Sequence, residues 1–129
     1  MERWEATYLG SRIVGATQSV EAYSVLESLD LVSWQSGGCS LLAAALERLL
    51  GAAPWDLVRM DGVTDHVVAR LGSYYFDADG AYTALEMREK HEELEGHRVE
   101  LVAATQVTFV CPPVWVKTLA NILEHYGVD

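Results

Sequence analysis

The hydrophobic positions in the first half of the chain repeat with helical spacing. Over residues 18–29 the apolar positions fall near one face, which predicts a helix capped by Thr17 or Ser19. A second helix is predicted from about residue 39 to residue 50, where leucines and alanines form one stripe and Gly51 supplies a C-terminal cap. Its three consecutive alanines predict close packing, as in a buried central helix.

The middle of the chain changes to the spacing of β-strands. Residues 54–60, 64–71 and 74–79 are rich in β-forming side chains and predict three strands. The last two are separated by Gly72-Ser73, a pair suited to a type II′ hairpin turn. We therefore expect these two strands to form an antiparallel hairpin.

The last third of the chain predicts two more helices. Thr83 followed by Glu86 is a capping box for a helix that runs to about residue 95. Residues 98–102 and 106–110 are strand-like, and Pro112-Pro113 begin a final helix. The pattern predicts a single α+β domain over residues 1–129. Along the chain it has two helices, then the strands of a mostly antiparallel sheet with one helix between them, and a closing helix.

Charge narrows the range of partners. The 129 residues contain 19 acidic against 9 basic side chains, a formal charge of −10. This balance argues against nucleic acid or an anionic membrane as a binding partner and favours a neutral or basic protein or peptide as partner or substrate. The chain begins without a basic segment followed by an apolar one, and no apolar run reaches about 18 residues, so we expect a cytoplasmic protein without a membrane span. Cys39 and Cys111 are then expected as thiols, with one disulfide between them as the alternative.

Cys39 is the first candidate for chemistry. It stands at the start of a predicted helix, where unpaired N–H groups and the helix dipole stabilise a thiolate. Gly37 and Gly38 leave the approach to the sulfur free of side chains, and the same N–H groups are placed to stabilise an oxyanion. The alternative is a buried cysteine that acts as a small hydrophobic residue.

His66 is the second candidate, and the predicted hairpin gives it acidic neighbours. With Gly72-Ser73 as the turn, Ala69 lies opposite Phe76 and His66 lies opposite Asp79, with Asp77 diagonal on the same face. A carboxylate is thus placed to orient the imidazole, as nucleophilic catalysis requires. A slip of one residue would move His66 to the other face.

Three segments together resemble the papain-like superfamily. They are residues 37–46 (GGCSLLAAAL), 65–72 (DHVVARLG) and 75–80 (YFDADG). The likeness is to small bacterial and phage papain-like or transglutaminase-like domains and to bacterial cell-wall cysteine endopeptidases. Such a resemblance implies a papain-like fold, in which the nucleophile begins a central helix packed on an antiparallel sheet.

The resemblance also implies roles for four residues, and the hairpin register adds a fifth candidate. Cys39 resembles the nucleophile and His66 the base, while Asp77 resembles the orienting acid and Asp79 is its rival from the hairpin register. Gln35 resembles the oxyanion donor, although it stands four residues before the cysteine where papain-like enzymes have six.

The expected function is a small thiol hydrolase or acyltransferase that acts on an amide, isopeptide or thioester bond. The alternative is an inactive interaction module on the same fold, an acidic accessory or inhibitor protein encoded by a phage or mobile element. No cofactor and no metal are expected. The stretch from His91 to His97 superficially resembles a zinc-protease helix, but Glu95 occupies the position of the second histidine, which predicts a solvated helix face.

Overall fold

The computed structural model describes residues 1–104 and 111–129, which form five helices and a five-stranded antiparallel sheet. The predicted α+β class is confirmed, and the strand predicted at residues 106–110 lies outside the described residues. Within the described ranges, none of the helices has both the length and the apolar run that crossing a membrane requires. The helices are α1 (Arg3–Thr17), α2 (Val20–Ser28), α3 (Gly38–Leu50), α4 (Ala84–Glu95) and α5 (Pro113–His125). The strands are β1 (Ala53–Arg59), β2 (Thr64–Leu71), β3 (Tyr74–Asp77), β4 (Gly80–Tyr82) and β5 (Val99–Ala103).

The strands lie in the order β4-β3-β2-β1-β5, and each neighbouring pair is antiparallel. Gly72 has a φ of 63°, as the first turn position of a type II′ hairpin requires. Ala69 lies opposite Phe76, so the predicted register of the β2–β3 hairpin is confirmed.

Helices cover both faces of the sheet. Successive side chains of a strand point to opposite faces, so one strand contributes residues to both helix–sheet interfaces. Val67, Ala69 and Phe76 belong to a core shared with α1, α2, α3 and α5. Val68 and Tyr75 belong to a second cluster with residues that include Met87 of α4. The sheet therefore lies between α4 and a layer formed by the other helices.

The sequence pattern did not predict α1. The buried face of this helix consists largely of small side chains, which give a weak apolar stripe. Gly10 permits a close approach between α1 and β4, since a Cβ atom there would lie 2.7 Å from the backbone nitrogen of Ala81. The buried residues of α1 are Ala6, Leu9, Gly10, Ile13, Ala16 and Thr17.

The prediction for the third strand was wrong at its end. β3 stops at Asp77 rather than residue 79, and a further strand, β4, follows directly. The Asp77 carboxylate accepts a hydrogen bond from the Asp79 N–H at 2.8 Å, and Gly80 has a φ of 124°. This local turn reverses the chain at residues 78–79, which removes Asp79 from the strand.

Two predicted helix starts are confirmed in detail. Ser19, rather than Thr17, caps α2 by accepting a hydrogen bond from the N–H of Ala22. Thr83 and Glu86 form the predicted capping box of α4.

Candidate functional site

Cys39 lies in the first turn of α3, and the preceding loop fixes its position. The N–H of Gly38 donates to the carbonyl oxygen of Ser33 at 2.9 Å, and Gly37 has a φ of 96°, a conformation that favours glycine. A Cβ atom at Gly38 would lie 2.7 Å from that Ser33 oxygen and 3.0 Å from Cε3 of Trp34. Gly38 is buried, so it permits tight packing below the helix and does not form the open approach to the sulfur that the sequence suggested.

The N-terminus of α3 differs from those of α2 and α4 in its capping. Side chains cap α2 and α4, whereas Gly37 at the N-cap of α3 offers none. The first-turn N–H groups of α3 are therefore not engaged by a capping side chain. The backbone of Ser40 in this turn and that of Val67 in β2 lower the pKa of the Cys39 thiol.

The imidazole of His66 lies between the thiol of Cys39 and the carboxylate of Asp77. Its Nε2 atom is 3.1 Å from Oδ2 of Asp77, and both side chains are at least 97% buried. The thiol of Cys39 lies close enough to the same ring for the two groups to shift each other's pKa. Because Nε2 faces the carboxylate, Nδ1 is the ring nitrogen left for the sulfur. A thiol, an imidazole and a carboxylate thus interact in series near the N-terminus of α3.

Lys90 of α4 holds the carboxylate from the other side. Its Nζ atom is 2.7 Å from Oδ2 of Asp77 and 3.1 Å from Oδ2 of Asp79. Asp79 is 47% exposed and acts on the series only through its N–H, which donates to Asp77, and through Lys90. Of the two acids that the sequence left open, Asp77 is the one that bonds the His66 ring.

The pKa values of the three groups are coupled. Burial raises the pKa of the Cys39 thiol, but the hydrogen bond and charge of His66 outweigh it, so that pKa lies below the usual range. Burial lowers the pKa of His66, whereas hydrogen bonds to Asp77 and Cys39 raise it, with a net result of about 9. Burial raises the pKa of Asp77, but His66 and Lys90 bring it below the usual range. The arrangement favours a thiolate, an imidazolium and a carboxylate together.

This geometry can supply a nucleophile, a proton donor and an orienting group. No family model, curated protein or solved structure matches the chain. A function must therefore be inferred from the side chains themselves. Cys39 as a residue is 8% exposed, so little of its surface is open to solvent.

Gln35 lies apart from the three residues. It is exposed in the turn before α3, and its side chain takes no part in the hydrogen bonds that join Cys39, His66 and Asp77. Its role as oxyanion donor stays a prediction. The neighbouring Trp34 is a core residue, 6% exposed, whose Nε1 donates to the carbonyl oxygen of Thr17 at 2.8 Å.

Both cysteines are thiols, as expected. Cys111 is partly buried, and its pKa is raised by burial and by the charge of Cys39. The two thiols of one chain are therefore shifted in opposite directions, which makes Cys111 an internal reference for Cys39.

The predicted solvated face is confirmed at residues 93–96, which are exposed, but it is wrong at His91. His91 is 7% exposed, and its ring stacks on that of His66 with centroids 5.7 Å apart and an angle of 11°. Its Nε2 lies 3.0 Å from Oδ2 of Asp65, which also contacts Nε2 of His97. Sequence reasoning missed this group, because its members come from β2, α4 and the connection after α4. The only signal was a pair of histidines six positions apart next to a helix end.

Proposed function

We propose that the protein is a small papain-like thiol hydrolase or acyltransferase that acts on an amide, isopeptide or thioester carbonyl. One observation carries the proposal: the ring of His66 lies between the thiol of Cys39 and the carboxylate of Asp77. A nucleophile beside a base that a third group orients is the arrangement of covalent acyl transfer. The position of Cys39 in an uncapped first helical turn supports it, because that turn provides N–H donors.

In the first half of the proposed reaction, the Cys39 thiolate attacks the carbonyl carbon. A carbon–sulfur bond forms, and the π electron pair moves to oxygen. N–H groups of the first turn of α3 stabilise this oxyanion. As the oxyanion collapses, the bond to the leaving group breaks, and His66 donates its proton to the departing nitrogen or sulfur. The product is a thioester between the acyl group and Cys39.

In the second half, water or an amine attacks the thioester. Neutral His66 takes a proton from this nucleophile, the carbon–sulfur bond breaks, and Cys39 leaves as thiolate beside the restored imidazolium. Asp77 keeps the ring in the orientation that serves both steps, and Lys90 fixes Asp77. The reaction needs no redox change.

The substrate is proposed to be a neutral or basic peptide or protein. The chain has a net charge of −10, and the half-exposed Asp79 lies next to the site residue Asp77. An acidic substrate would be repelled on approach.

A second candidate function is an inactive module that binds a protein partner. The low exposure of Cys39, 8%, favours it, because a working nucleophile must be reached by its substrate. Such a module would keep the hydrogen-bonded series as a buried structural element.

Alkylation by iodoacetamide tests the activation of Cys39. The rate at each thiol is measured by peptide mass spectrometry in the presence of EDTA, at about pH 6.5 and at about pH 10, where ordinary thiols are ionised. For each thiol, the ratio of its rate at the lower pH to its rate at the higher pH cancels the effect of how accessible that thiol is to iodoacetamide. An ordinary thiol retains on the order of 1% of its plateau rate at the lower pH.

We expect Cys39 to retain at least about ten times the fraction that Cys111 retains, because its pKa is lowered while that of Cys111 is raised. Equal fractions would refute an activated thiolate. The reaction itself is tested by trapping an acyl adduct from a pool of neutral and basic peptide thioesters. An adduct on Cys39 that is absent from Cys39→Ala supports the enzyme, and an activated Cys39 that forms no adduct favours the binding module.

A further inference from the structure

The side chains of Asp65, His91 and His97 converge on one point beside β2. Asp65 is the second residue of β2, His91 lies near the end of α4, and His97 follows that helix by two residues. Oδ2 of Asp65 is 3.0 Å from Nε2 of His91 and also contacts Nε2 of His97. Each residue offers one ligand-type atom, and the three atoms all lie within 4.8 Å of one another.

We propose that these three residues bind a divalent zinc-type metal ion. Two imidazole nitrogens and one carboxylate oxygen are a donor set that suits zinc and its neighbours in the first transition row, whereas calcium and magnesium prefer oxygen alone. Zinc–ligand bonds of about 2.1 Å at tetrahedral angles separate neighbouring ligand atoms by about 3.4 Å. The 3.0 Å between Asp65 and His91 is close to that value, and the closer contact between Asp65 and His97 would have to open to admit the ion.

The exposure of the three side chains leaves room for a fourth ligand. The side chain of His97 is 36% exposed and that of Asp65 is 16% exposed, while that of His91 is 9% exposed. Water therefore reaches the cluster from the side of His97, where it completes a tetrahedral coordination. His91 and Asp65 anchor the ion on the protein side.

The ion would join β2, α4 and the connection between α4 and β5. His91 also stacks on His66: the ring of His66 lies against the face of the His91 ring, whereas the metal would lie at its edge, at Nε2. The proposed role is structural: the ion fixes α4 against the start of β2. The site does not include Cys39, and it is independent of the proposed acyl transfer.

Metal binding to the full chain tests the proposal. Protein stripped with EDTA and freed of chelator is titrated with Co²⁺ by absorption spectroscopy and with Zn²⁺ by calorimetry. We expect one equivalent per chain and visible d–d bands without a sulfur-to-cobalt charge-transfer band, since no thiolate is a ligand. Zn²⁺ should also raise the Tm.

Variants separate this site from other metal-binding groups. His97→Ala removes a partly exposed ligand, and we expect its affinity to fall by at least about 100-fold, because the loss of a mere outer-shell partner costs 10–100-fold. Asp65→Asn should give the same loss. The matched controls His125→Ala, at an exposed histidine of α5, and Cys39→Ala should bind like the unmodified protein. Absence of binding, a sulfur charge-transfer band, or unchanged affinity in His97→Ala with native circular dichroism would overturn the proposal.

Discussion

Replacing Gly38 with alanine adds a methyl group to a space that is already filled. Its Cβ would lie 2.7 Å from the carbonyl oxygen of Ser33, 2.9 Å from Cδ2 of Leu26 and 3.0 Å from Cε3 of Trp34. Ordinary contacts begin at 3.4 Å, so these distances are short by 0.7, 0.5 and 0.4 Å. The closest atom belongs to the backbone and cannot rotate away. The start of α3 must therefore move by about half an ångström.

Two effects of this movement can be measured. Overpacking by one methyl group costs about 1–3 kcal/mol, and we expect the free energy of unfolding to fall by about 2 kcal/mol. Because the shift occurs next to Cys39, the sulfur also moves relative to the ring of His66. A misplacement of 1 Å costs on the order of 100-fold in reactivity, so half of it should cost about 10-fold.

Urea denaturation followed by tryptophan fluorescence gives the stability, and the pH-corrected alkylation rate of Cys39 gives the reactivity. The matched control is Gly15→Ala, at an exposed glycine of α1 whose Cβ would meet nothing within 4 Å. In this control the free energy of unfolding should rise by about 0.5–1 kcal/mol, because alanine has the higher helix propensity, and the alkylation rate of Cys39 should not change. The reasoning is refuted if Gly38→Ala is as stable as the unmodified protein, or if it is destabilised while Cys39 reacts as before.

Two further pairs of variants test the site and the core. Asp77→Asn should slow acylation of Cys39 in a peptide thioester assay by about 10²–10⁴-fold, because the base His66 loses its orienting carboxylate. Asp79→Asn should change the same rate by less than about fivefold, because it removes only an exposed ion pair. Equal effects of the two substitutions would contradict the distinction between the two acids. Trp34→Phe leaves the carbonyl oxygen of Thr17 without its hydrogen-bond donor and should lower the free energy of unfolding by about 1–3 kcal/mol. Trp4→Phe, at a residue 71% exposed, should change the free energy of unfolding by less than about 0.5 kcal/mol. Urea denaturation of both variants checks this, and similar losses would count against it.

The hairpin was predictable because its information is local. Gly72-Ser73 fixes the turn type, the turn type fixes the register, and the register brings His66 near the acidic residues of the next strand. The choice between the two acids was not predictable to the same degree. It depends on where β3 ends, and that end is set by the side-chain bond from Asp77 to the N–H of Asp79.

Features that depend on distant contacts were missed. α1 buries mostly small residues, so its apolar stripe is weak in the sequence. The reason for the small side chains is the close packing of α1 against β4 at Gly10, which only the structure shows. Asp65 and His97 are far apart along the chain and meet because α4 crosses the sheet. Lys90 escaped notice for the same reason, since a lysine on an acidic helix gives no sign that it bonds a buried carboxylate.

The absent cap of α3 has a consequence for anyone who engineers this protein. Gly37 has no side chain with which to cap the helix, and its φ of 96° is one that other residues rarely adopt, so a capping residue requires a different loop conformation. A library screened for thermal stability alone would favour loops that put serine or aspartate at this helix start. Such a side chain would occupy the N–H groups that the proposed oxyanion needs. Stability and reactivity compete at this loop, so thermostable variants are best sought outside residues 36–38.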